Sequence, residues 1–539
     1  MENTITDKNN IKETFTIRTF DNEPVIRVGL ESGNMNIDFR MNGTYDIIDE
    51  NDNVLMENVK SKLKWRVKIL ESTGATFSYS ILLKEFFSED DCMNELLELR
   101  KKGYDVRKKE VGCILYINGS RINNNLRYQL ICGKWEDKDF AEKEMKKFKE
   151  KYECRIIKEK ISESEGKLEL FDSEYDRSAE IMNTLKLIPK SEDSSVTIYD
   201  VYCKKGNHNG RKEKRKLKGI VEIKVDNKGE LTVISTISLE DYIIGLVSCM
   251  MSPDFPLESL KAQAIATRSK IISTYGLKHL NDNYDFCSSE HCELYKGIYS
   301  LNDNVRIAVK ETKGKVLMHN GNACHAVYNP VCGGHTEDYY NIWNSPERPY
   351  LKGIFDSENS DGSEIVGPLD TEKKVERWIN SRPKVNCNLS GRNFNHSLDF
   401  AKKYFRWEIT YSRRELEEII KRKTNEDIGI LYDIIPRKRG ISGRLKEIEI
   451  LGSHKNIVLR NENYIRHALS DGLLNSSCFI VEVETGDDGT PINFTFIGAG
   501  SGHGVGMCQA GAIVMAEYGK SYEKILNHFY RGIKTEIIY

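Results

Sequence analysis

Two histidines and two cysteines lie close together in one short stretch of the chain. They are His279, Cys287, His291 and Cys292. Two thiolates and two imidazoles form the ligand set of a closed tetrahedral zinc site. The turn-rich stretch 280–286 can bring His279 back to Cys287, and a bend in the backbone would let the adjacent His291 and Cys292 reach one ion. We therefore expect structural zinc here; the alternative is two buried free thiols and two surface imidazoles.

Two glycine-rich segments could hold a polar ligand. The first contains Gly333, Gly334, His335, Thr336 and Glu337, and the second contains His503, Gly504 and Gln509. Glycines let a backbone approach a ligand closely, and His335, His503 and Gln509 carry donors suited to sugar hydroxyls. The second segment does not accommodate the dinucleotide-binding pattern G-x-G-x-x-G. The alternative interpretation is tight turns packed against the helix that follows.

A pair of helices is predicted just before the metal cluster. Leu239, Ile243 and Leu246 follow helical spacing, Pro253 and Pro256 interrupt it, and a second helix is expected over 258–272. Two helices joined by a rigid turn give one edge of a pocket.

The rest of the chain predicts an α+β fold. Residues 1–75 alternate turn signals with short apolar runs, which is typical of strands. Residues 77–160 contain a strand, a polar cap and an amphipathic helix, and then a second copy of that pattern. Further strands are expected around 113–116 and 154–157. This predicts a small βαββαβ unit, followed by a large domain over 161–539.

Composition excludes some classes of function. The 539 residues include 80 Lys+Arg and 82 Asp+Glu, so a nucleic-acid binder acting through bulk charge is not expected. No apolar run is long enough for a transmembrane helix. The first residues carry no apolar leader, which makes a cytoplasmic location one expectation.

The order and spacing of several segments resemble the stage II sporulation protein D family, also called the SpoIID/LytB or amidase-enhancer family. The segments are 238–269, 285–297, 331–337, 465–469 and 500–511. The resemblance implies a role on bacterial peptidoglycan at the cell wall or intermembrane space of a sporulating cell. It further implies zinc on a similar His and Cys cluster, glycan strands as ligand and a cell-wall amidase as partner. The strand Val25–Leu30 would be the domain's first.

The βαββαβ unit resembles the SPOR family of peptidoglycan-binding domains, which would make it an insertion near the start of the larger domain. The alternative is a generic ferredoxin-like unit without glycan contact.

The family resembles lytic transglycosylases, in which one Glu protonates the leaving glycosidic oxygen and then deprotonates the sugar's own 6-hydroxyl. The family pattern around this acid is Gly-Val-Val-x-x-Glu-Met-Pro, whereas this chain has Gly245-Leu-Val-Ser-Cys-Met-Met-Ser252, so that Met250 stands at the acid position. A thioether cannot act as a general acid. Asp254, Glu258 and Glu337 are the nearest carboxyls by motif, and Glu337 is the candidate substitute.

Three functions follow from these patterns. The favoured hypothesis is a wall protein that binds glycan strands without cleaving them. The first alternative is an active transglycosylase that uses a displaced carboxyl such as Glu337. The second alternative is an intracellular protein with an unrelated partner, which fractionation of the host cell would separate from the other two.

Overall fold

The computed structural model describes residues 14–539 apart from 21, 175–176, 206–207, 299–302, 344, 358–366, 393 and 395–397. Helices and several mostly antiparallel sheets confirm the predicted α+β class. The strands of the first region are β1 (Thr14–Thr16), β2 (Thr19–Phe20), β3 (Glu23–Asn34), β4 (Asn36–Asn42), β5 (Thr44–Ile48), β6 (Val54–Lys60) and β7 (Trp65–Thr73).

The next region forms a small sheet covered by two helices. Its elements are β8 (Thr76–Phe86), α1 (Glu89–Lys101), β9 (Val106–Val111), β10 (Ile114–Ile117), β11 (Ser120–Asn124), β12 (Arg127–Trp135), α2 (Lys138–Met145) and β13 (Arg155–Ser162). The strand order is β13-β8-β12-β9. The side chains of Ser88 and Asp137 cap the two helices. Ile81, Leu96 and Leu130 belong to a core that this unit keeps to itself.

One strand of the unit differs from the prediction. The apolar run around Cys113 was expected to be the strand after the first helix, but Val106–Val111 takes that place. β10 pairs instead with β1 and β11 in a separate sheet. The polar run 107–110 is tolerated in the four-stranded sheet because its cations face carboxylates, as Lys109 faces Glu159 at 2.9 Å.

The unit is flanked by two strands that pair with each other. The strands after it are β14 (Glu165–Asp172), β15 (Ser178–Met182), β16 (Thr184–Pro189), β17 (Ser195–Lys205), β18 (His208–Leu217), β19 (Ile220–Val225) and β20 (Leu231–Ser238). β14 is antiparallel to β7, with Glu165 opposite Thr73. The chain thus leaves one sheet at Thr73, forms the unit and returns to the same sheet at Glu165. The described part of the basic run 204–216 lies in the paired strands β17 and β18.

Two sheets carry the first strands into the larger domain. Their orders are β15-β14-β7-β4-β17-β18 and β2-β3-β20-β19-β16-β5-β6. β3 contains the predicted strand Val25–Leu30 and pairs with β20, which leads directly into the helical pair.

The remaining elements surround that pair. They are α3 (Leu239–Met250), α4 (Leu257–Thr274), β21 (Phe286–Cys287), α5 (Asp303–Glu311), β22 (Lys315–His319), β23 (Asn322–Ala323), β24 (Tyr328–Asn329), α6 (Tyr339–Trp343), α7 (Glu372–Ser381), α8 (Asp399–Phe405), β25 (Trp407–Ser412), α9 (Arg413–Thr424), β26 (Leu431–Arg439), β27 (Leu445–Gly452), β28 (Ile457–Arg460), α10 (Glu462–Ala468), β29 (Phe479–Thr485), β30 (Pro491–Gly498), β31 (Met507–Cys508), α11 (Gln509–Glu517), α12 (Tyr522–Phe529) and β32 (Lys534–Ile537). None of the helices in the described ranges is long and apolar enough to cross a membrane.

Candidate functional site

The helical pair α3 and α4 fixes the position of Met250. Ser238 caps α3 by accepting a hydrogen bond from the backbone of Asp241. Two hydrogen bonds of 3.0 and 2.6 Å join the buried Arg268 guanidinium on α4 to the Glu240 carboxylate on α3. A paired buried guanidinium is a strong constraint because separating it from its carboxylate would leave an uncompensated charge. Met250 therefore stands at a defined place, in the last turn of α3.

Two glutamines hold the Met250 side chain. The Nε2 atom of Gln263 lies 3.7 Å from the Met250 sulfur and donates to the Thr267 hydroxyl at 3.0 Å. The Oε1 atom of Gln263 accepts from Nε2 of Gln509 at 3.1 Å. The fully buried Gln263 thus presents an amide donor to the position where the family pattern has a carboxylate.

The carboxyls close to Met250 in sequence have structural partners. Glu258 accepts from the backbone of Tyr522 at 2.8 Å and from Lys261 at 2.7 Å. Asp254 lies beside Ser252 in the turn between the helices. These contacts favour structural roles for both acids at the start of α4.

Glu337, the candidate substitute acid, is completely buried and saturated with hydrogen bonds. Its carboxylate accepts from the backbones of Asp338, Ile441 and Ser442, from the Ser442 hydroxyl and from the Asn341 amide. A general acid must reach a substrate oxygen at about 2.6–3.2 Å. A carboxylate whose oxygens are all engaged inside the protein is placed to hold the 440–442 turn, so the geometry favours a structural role.

Replacing Glu337 by Gln tests that role. We expect Glu337→Gln to lower the free energy of unfolding by roughly 2–5 kcal/mol, because an amide nitrogen would face donors that now bind a carboxylate oxygen. Urea denaturation measures the change, and Glu258→Gln is a control at a more exposed carboxylate. Unchanged stability together with the loss of a measurable glycan-cleaving activity would instead support catalysis by Glu337.

The other residues of the first glycine-rich segment also face the interior. His335 donates from Nδ1 to the Thr336 carbonyl at 2.7 Å, and burial lowers its pKa. The Thr336 hydroxyl accepts from the backbone of Ile354 at 2.8 Å. Gly333 and Gly334 have φ values of 80° and 106°, and Gly334 packs against Trp378. The prediction that these four residues contact substrate stays untested, but their geometry favours a structural turn.

His503, Gly504 and Gln509 are placed differently from one another. Gly504 packs against the guanidinium of Arg444. Gln509 is bound to Gln263, and His503 lies half-buried with its ring 4.8 Å from that of Trp343. Nδ1 of His503 accepts from the backbone of Val505 at 3.0 Å, so the neutral ring carries its proton on Nε2.

A cleft lies beside Trp343, and sequence reasoning missed it. Its volume is about 610 Å³, and its lining includes Lys84, Phe87, Ser88 and Trp343. Phe87 and Trp343 are 46% and 37% exposed, so two aromatic side chains are open to solvent at the cleft. Phe87 follows the first strand of the βαββαβ unit, so the cleft is built jointly by that unit and the larger domain.

An ion pair between Lys270 and Glu293 was also missed. The Lys270 ammonium contacts the Glu293 carboxylate and lies 5.0 Å from the centre of the Tyr328 ring. Lys270 is on α4, two turns from Gln263. Together with desolvation, its charge helps to lower the pKa of His503.

The four predicted metal ligands come together on one side of β3. Nε2 of His279 lies 3.3 Å from Sγ of Cys292 and 3.2 Å from Nδ1 of His291. Nδ1 of His291 lies 3.7 Å from Sγ of Cys287 and 3.8 Å from Sγ of Cys292. Tetrahedral zinc with bonds of about 2.0–2.3 Å requires ligand separations of roughly 3.3–3.8 Å. The measured distances fit that shell.

The backbone explains how the cluster forms. His279 has a left-handed φ of 55° and starts a turn closed by the Asp282 amide. Nδ1 of His279 lies 2.7 Å from the Asp282 carboxylate, which directs Nε2 toward the thiols, an arrangement common in outer shells of metal sites. Phe286 and Cys287 run parallel to β3 at Val28 and Gly29. A Cβ on Gly29 would meet the Tyr284 ring at 2.4 Å, so glycine is required there.

The thiols of Cys287 and Cys292 shift each other's pKa in opposite directions. A hydrogen bond from Cys292, opposed by burial and assisted by His279, lowers the pKa of Cys287. The same contact raises the pKa of Cys292. A metal ion would replace the shared proton, since thiolates rather than thiols bind metals.

Comparison with known proteins is consistent with this geometry. A family model described as "Stage II sporulation protein" matches residues 227–319, which contain Met250 and the metal cluster. The chain is 24% identical over 314 residues to stage II sporulation protein D of Bacillus subtilis, covering 56% of this chain and 74% of that protein. This chain belongs to the stage II sporulation protein D family.

This SpoIID-family protein is similar to two further relatives. It is 30% identical over 308 residues to an uncharacterized protein of Brachyspira hyodysenteriae, covering 56% of this chain and 68% of that one. It is 29% identical over 303 residues to the amidase enhancer of Bacillus subtilis, covering 53% of this chain but only 39% of the enhancer. The relatives named stage II sporulation protein D and amidase enhancer support a role in cell-wall remodelling.

A second family model, a domain of unknown function, matches residues 337–506 of the SpoIID-family chain. The resemblance of residues 77–160 to SPOR domains is a prediction that none of these matches addresses.

Proposed function

We propose that this protein binds peptidoglycan glycan strands during cell-wall remodelling and does not cleave them. The observation that carries the proposal is Met250, a thioether held by Gln263 at the acid position of the family. A thioether has no proton to transfer at useful pH. Glu337, the substitute suggested by motif, is buried beneath five hydrogen bonds, which argues against Glu337 as the acid of the active-enzyme alternative.

The cleft at Trp343 supplies the binding surface in this proposal. Sugar rings present apolar faces rimmed by hydroxyls, and sites for them combine exposed aromatic rings with a few polar groups. Phe87 and Trp343 provide the aromatic rings, while His503 lies against Trp343. His503 touches Trp343, and Gln509, at the start of α11, touches Gln263 beside Met250.

Zinc has a structural role in this proposal. The His279, Cys287, His291 and Cys292 ligand set has both the chemistry and the spacing of a closed tetrahedral site, with Asp282 as outer partner. Bound zinc would hold the 279–292 segment, and with it Glu293, against β3. A cell-wall amidase is the partner class suggested by the relative named amidase enhancer.

Binding to peptide-free glycan strands tests the proposal. We expect the full chain to co-sediment with strands immobilised on beads, and mass spectrometry of the strands to show no anhydro-sugar ends. Trp343→Ala should weaken binding at least about tenfold, because buried aromatic contacts commonly contribute more than 1 kcal/mol.

The matched control is Tyr518→Ala, since Tyr518 is 61% exposed and does not line the cleft. Equal binding by the wild type, Trp343→Ala and Tyr518→Ala proteins would show that the ligand does not bind at the cleft. Failure of the wild type to bind would refute the proposed function, and anhydro ends would restore the enzyme alternative.

A further inference from the structure

A second cluster of metal-ligating side chains lies outside the proposed zinc site. It consists of Cys332, Asp356, Cys387 and Cys508, whose ligand atoms all lie within 4.8 Å of one another. Each of the four is at most 2% exposed. Sequence proximity does not explain why these four groups lie together, since Cys332 and Cys508 are 176 positions apart.

Two ligand separations in the second cluster match those of a metal shell. Sγ of Cys332 lies 3.7 Å from Sγ of Cys387 and 3.4 Å from Oδ2 of Asp356. Tetrahedral zinc with Zn–S of about 2.3 Å and Zn–O of about 2.0 Å places two sulfurs roughly 3.8 Å apart and a sulfur and an oxygen roughly 3.5 Å apart. Both measured separations agree with this geometry to about 0.1 Å.

Backbone amides donate hydrogen bonds to two of the three sulfurs of the cluster. The backbone amides of Cys332 and Gly511 donate to Sγ of Cys508 at 3.2 and 3.4 Å, and the amide of Gly334 donates to Sγ of Cys332 at 3.3 Å. Cys508 also caps the N-terminus of α11, where the helix dipole favours negative charge. Hydrogen bonds to sulfur are a regular part of metal–thiolate sites.

Asp356 has the outer partners expected of a carboxylate ligand. Its Oδ1 atom lies 3.1 Å from Nε2 of His528 and accepts from the Asn386 amide at 2.9 Å, while Oδ2 faces Cys332. One oxygen is thus oriented by neighbours and the other points into the cluster. A Cβ on Gly511 would lie 2.6 Å from Oδ2, so glycine is needed for α11 to pack against this carboxylate.

The guanidinium of Arg406 places a positive charge near the cluster. The Arg406 guanidinium donates to the Gly333 carbonyl, next to Cys332, at 3.1 Å. Burial lowers the pKa of Arg406 to about 10, and the nearby thiols oppose that effect. A zinc ion bound by three thiolates and a carboxylate keeps a net negative charge. Arg406, His528 and the amides are placed to offset it.

We infer that Cys332, Asp356, Cys387 and Cys508 form a second zinc site. Binding would release the thiol protons to solvent and form three Zn–S bonds and one Zn–O bond. Asp356 and Cys387 lie inside the segment 337–506, whereas Cys332 and Cys508 lie just before and just after it. The ion would therefore clamp both ends of that segment to its interior. A disulfide between Cys332 and Cys387 is the competing arrangement, and it would leave Cys508 and Asp356 without a common role.

Zinc stoichiometry of the full chain tests this inference. After equilibration with Zn²⁺ and desalting, elemental analysis should give two zinc ions per chain. Cys387→Ala should remove one, Cys287→Ala should remove the other, and the double variant should remove both. The control Cys478→Ala changes an equally buried thiol outside both clusters and should keep two.

This experiment tests each of the two zinc sites independently of the other. If Cys387→Ala loses one zinc ion and Cys287→Ala loses none, the second site is supported and the first is refuted. Zinc that is insensitive to Cys387→Ala, or a Cys332–Cys387 disulfide found by mass spectrometry of unreduced protein, would overturn the inference.

A spectroscopic measurement covers the case in which Cys387→Ala does not fold. Cobalt bound to Cys287→Ala protein should show thiolate-to-cobalt charge-transfer bands from the second site alone. A folded Cys287→Ala protein without those bands would overturn the inference equally well.

Discussion

Peptide-free glycan strands incubated with the Met250→Glu variant are expected to yield anhydro-ended fragments at a rate at least about 10²-fold above the wild type. General acid–base catalysis by one positioned carboxyl is worth roughly 10²–10⁴-fold. A glutamate at position 250 would stand at the end of α3 within reach of Gln263, which already offers an amide hydrogen to the Met250 sulfur. Mass spectrometry of the released fragments measures the gain.

Met250→Gln is the matched control for that experiment. Glutamine has the shape and hydrogen-bonding capacity of glutamate but cannot transfer a proton at useful pH. We expect Met250→Gln to bind strands as the wild type does and to release no anhydro ends. If Met250→Glu bound strands without cleaving them, more than the acid would be missing from the site. Cleavage by the wild type would contradict the proposed function directly.

Loss of the first zinc site is expected to have the second large effect. Cys287→Ser should remove one zinc per chain and lower the free energy of unfolding by well over the roughly 1–3 kcal/mol of an ordinary substitution, because structural zinc contributes binding energy to folding. Cys287 is the ligand paired with β3, so the segment 279–292 would lose its attachment to the sheet. Urea denaturation followed by tryptophan fluorescence measures the change.

The control for the zinc prediction is Cys154→Ser. Cys154 is half-buried, lies in the βαββαβ unit and belongs to neither ligand cluster. Its replacement should change stability by less than about 1 kcal/mol and leave the zinc content unchanged. Stability of Cys287→Ser equal to that of the control, with zinc retained, would show that the four side chains are ordinary buried thiols and imidazoles.

The first metal cluster could be predicted from sequence because its ligands lie within 14 residues, where a turn suffices to bring them together. The second could not, because Cys332, Asp356, Cys387 and Cys508 meet only when distant elements pack. Glu337 illustrates the converse problem. Membership in a motif placed it near the candidate site, but the motif did not reveal that the turn at 440–442 would enclose its carboxylate.

The secondary structure was likewise predictable from sequence in some segments and not in others. The helical pair and β3 carry strong apolar periodicity and lie close to their predicted positions. The polar strand β9 carries none, since its cations depend on carboxylates from other elements of the unit, such as Glu159 on β13, and the apolar β10 was favoured in its place. Trp343 shares a short helix with Tyr339 and Tyr340, so no spacing pattern distinguished it from a core residue.

The pairing of β7 with β14 places the entry and exit of the βαββαβ unit on adjacent strands of one sheet. The chain departs at Thr73 and returns at Glu165 on the adjacent strand, and the unit has its own apolar core. The two ends of the unit are therefore as close as the ends of a hairpin loop, where added chain disturbs the parent sheet least. The four-stranded sheet and its two helices extend from this junction, whereas β10 and β11 pair with β1 and place Leu115 in the main core. Because Phe87 lies in the βαββαβ unit and Trp343 does not, exchanging the unit would reshape one wall of the cleft while leaving the other intact.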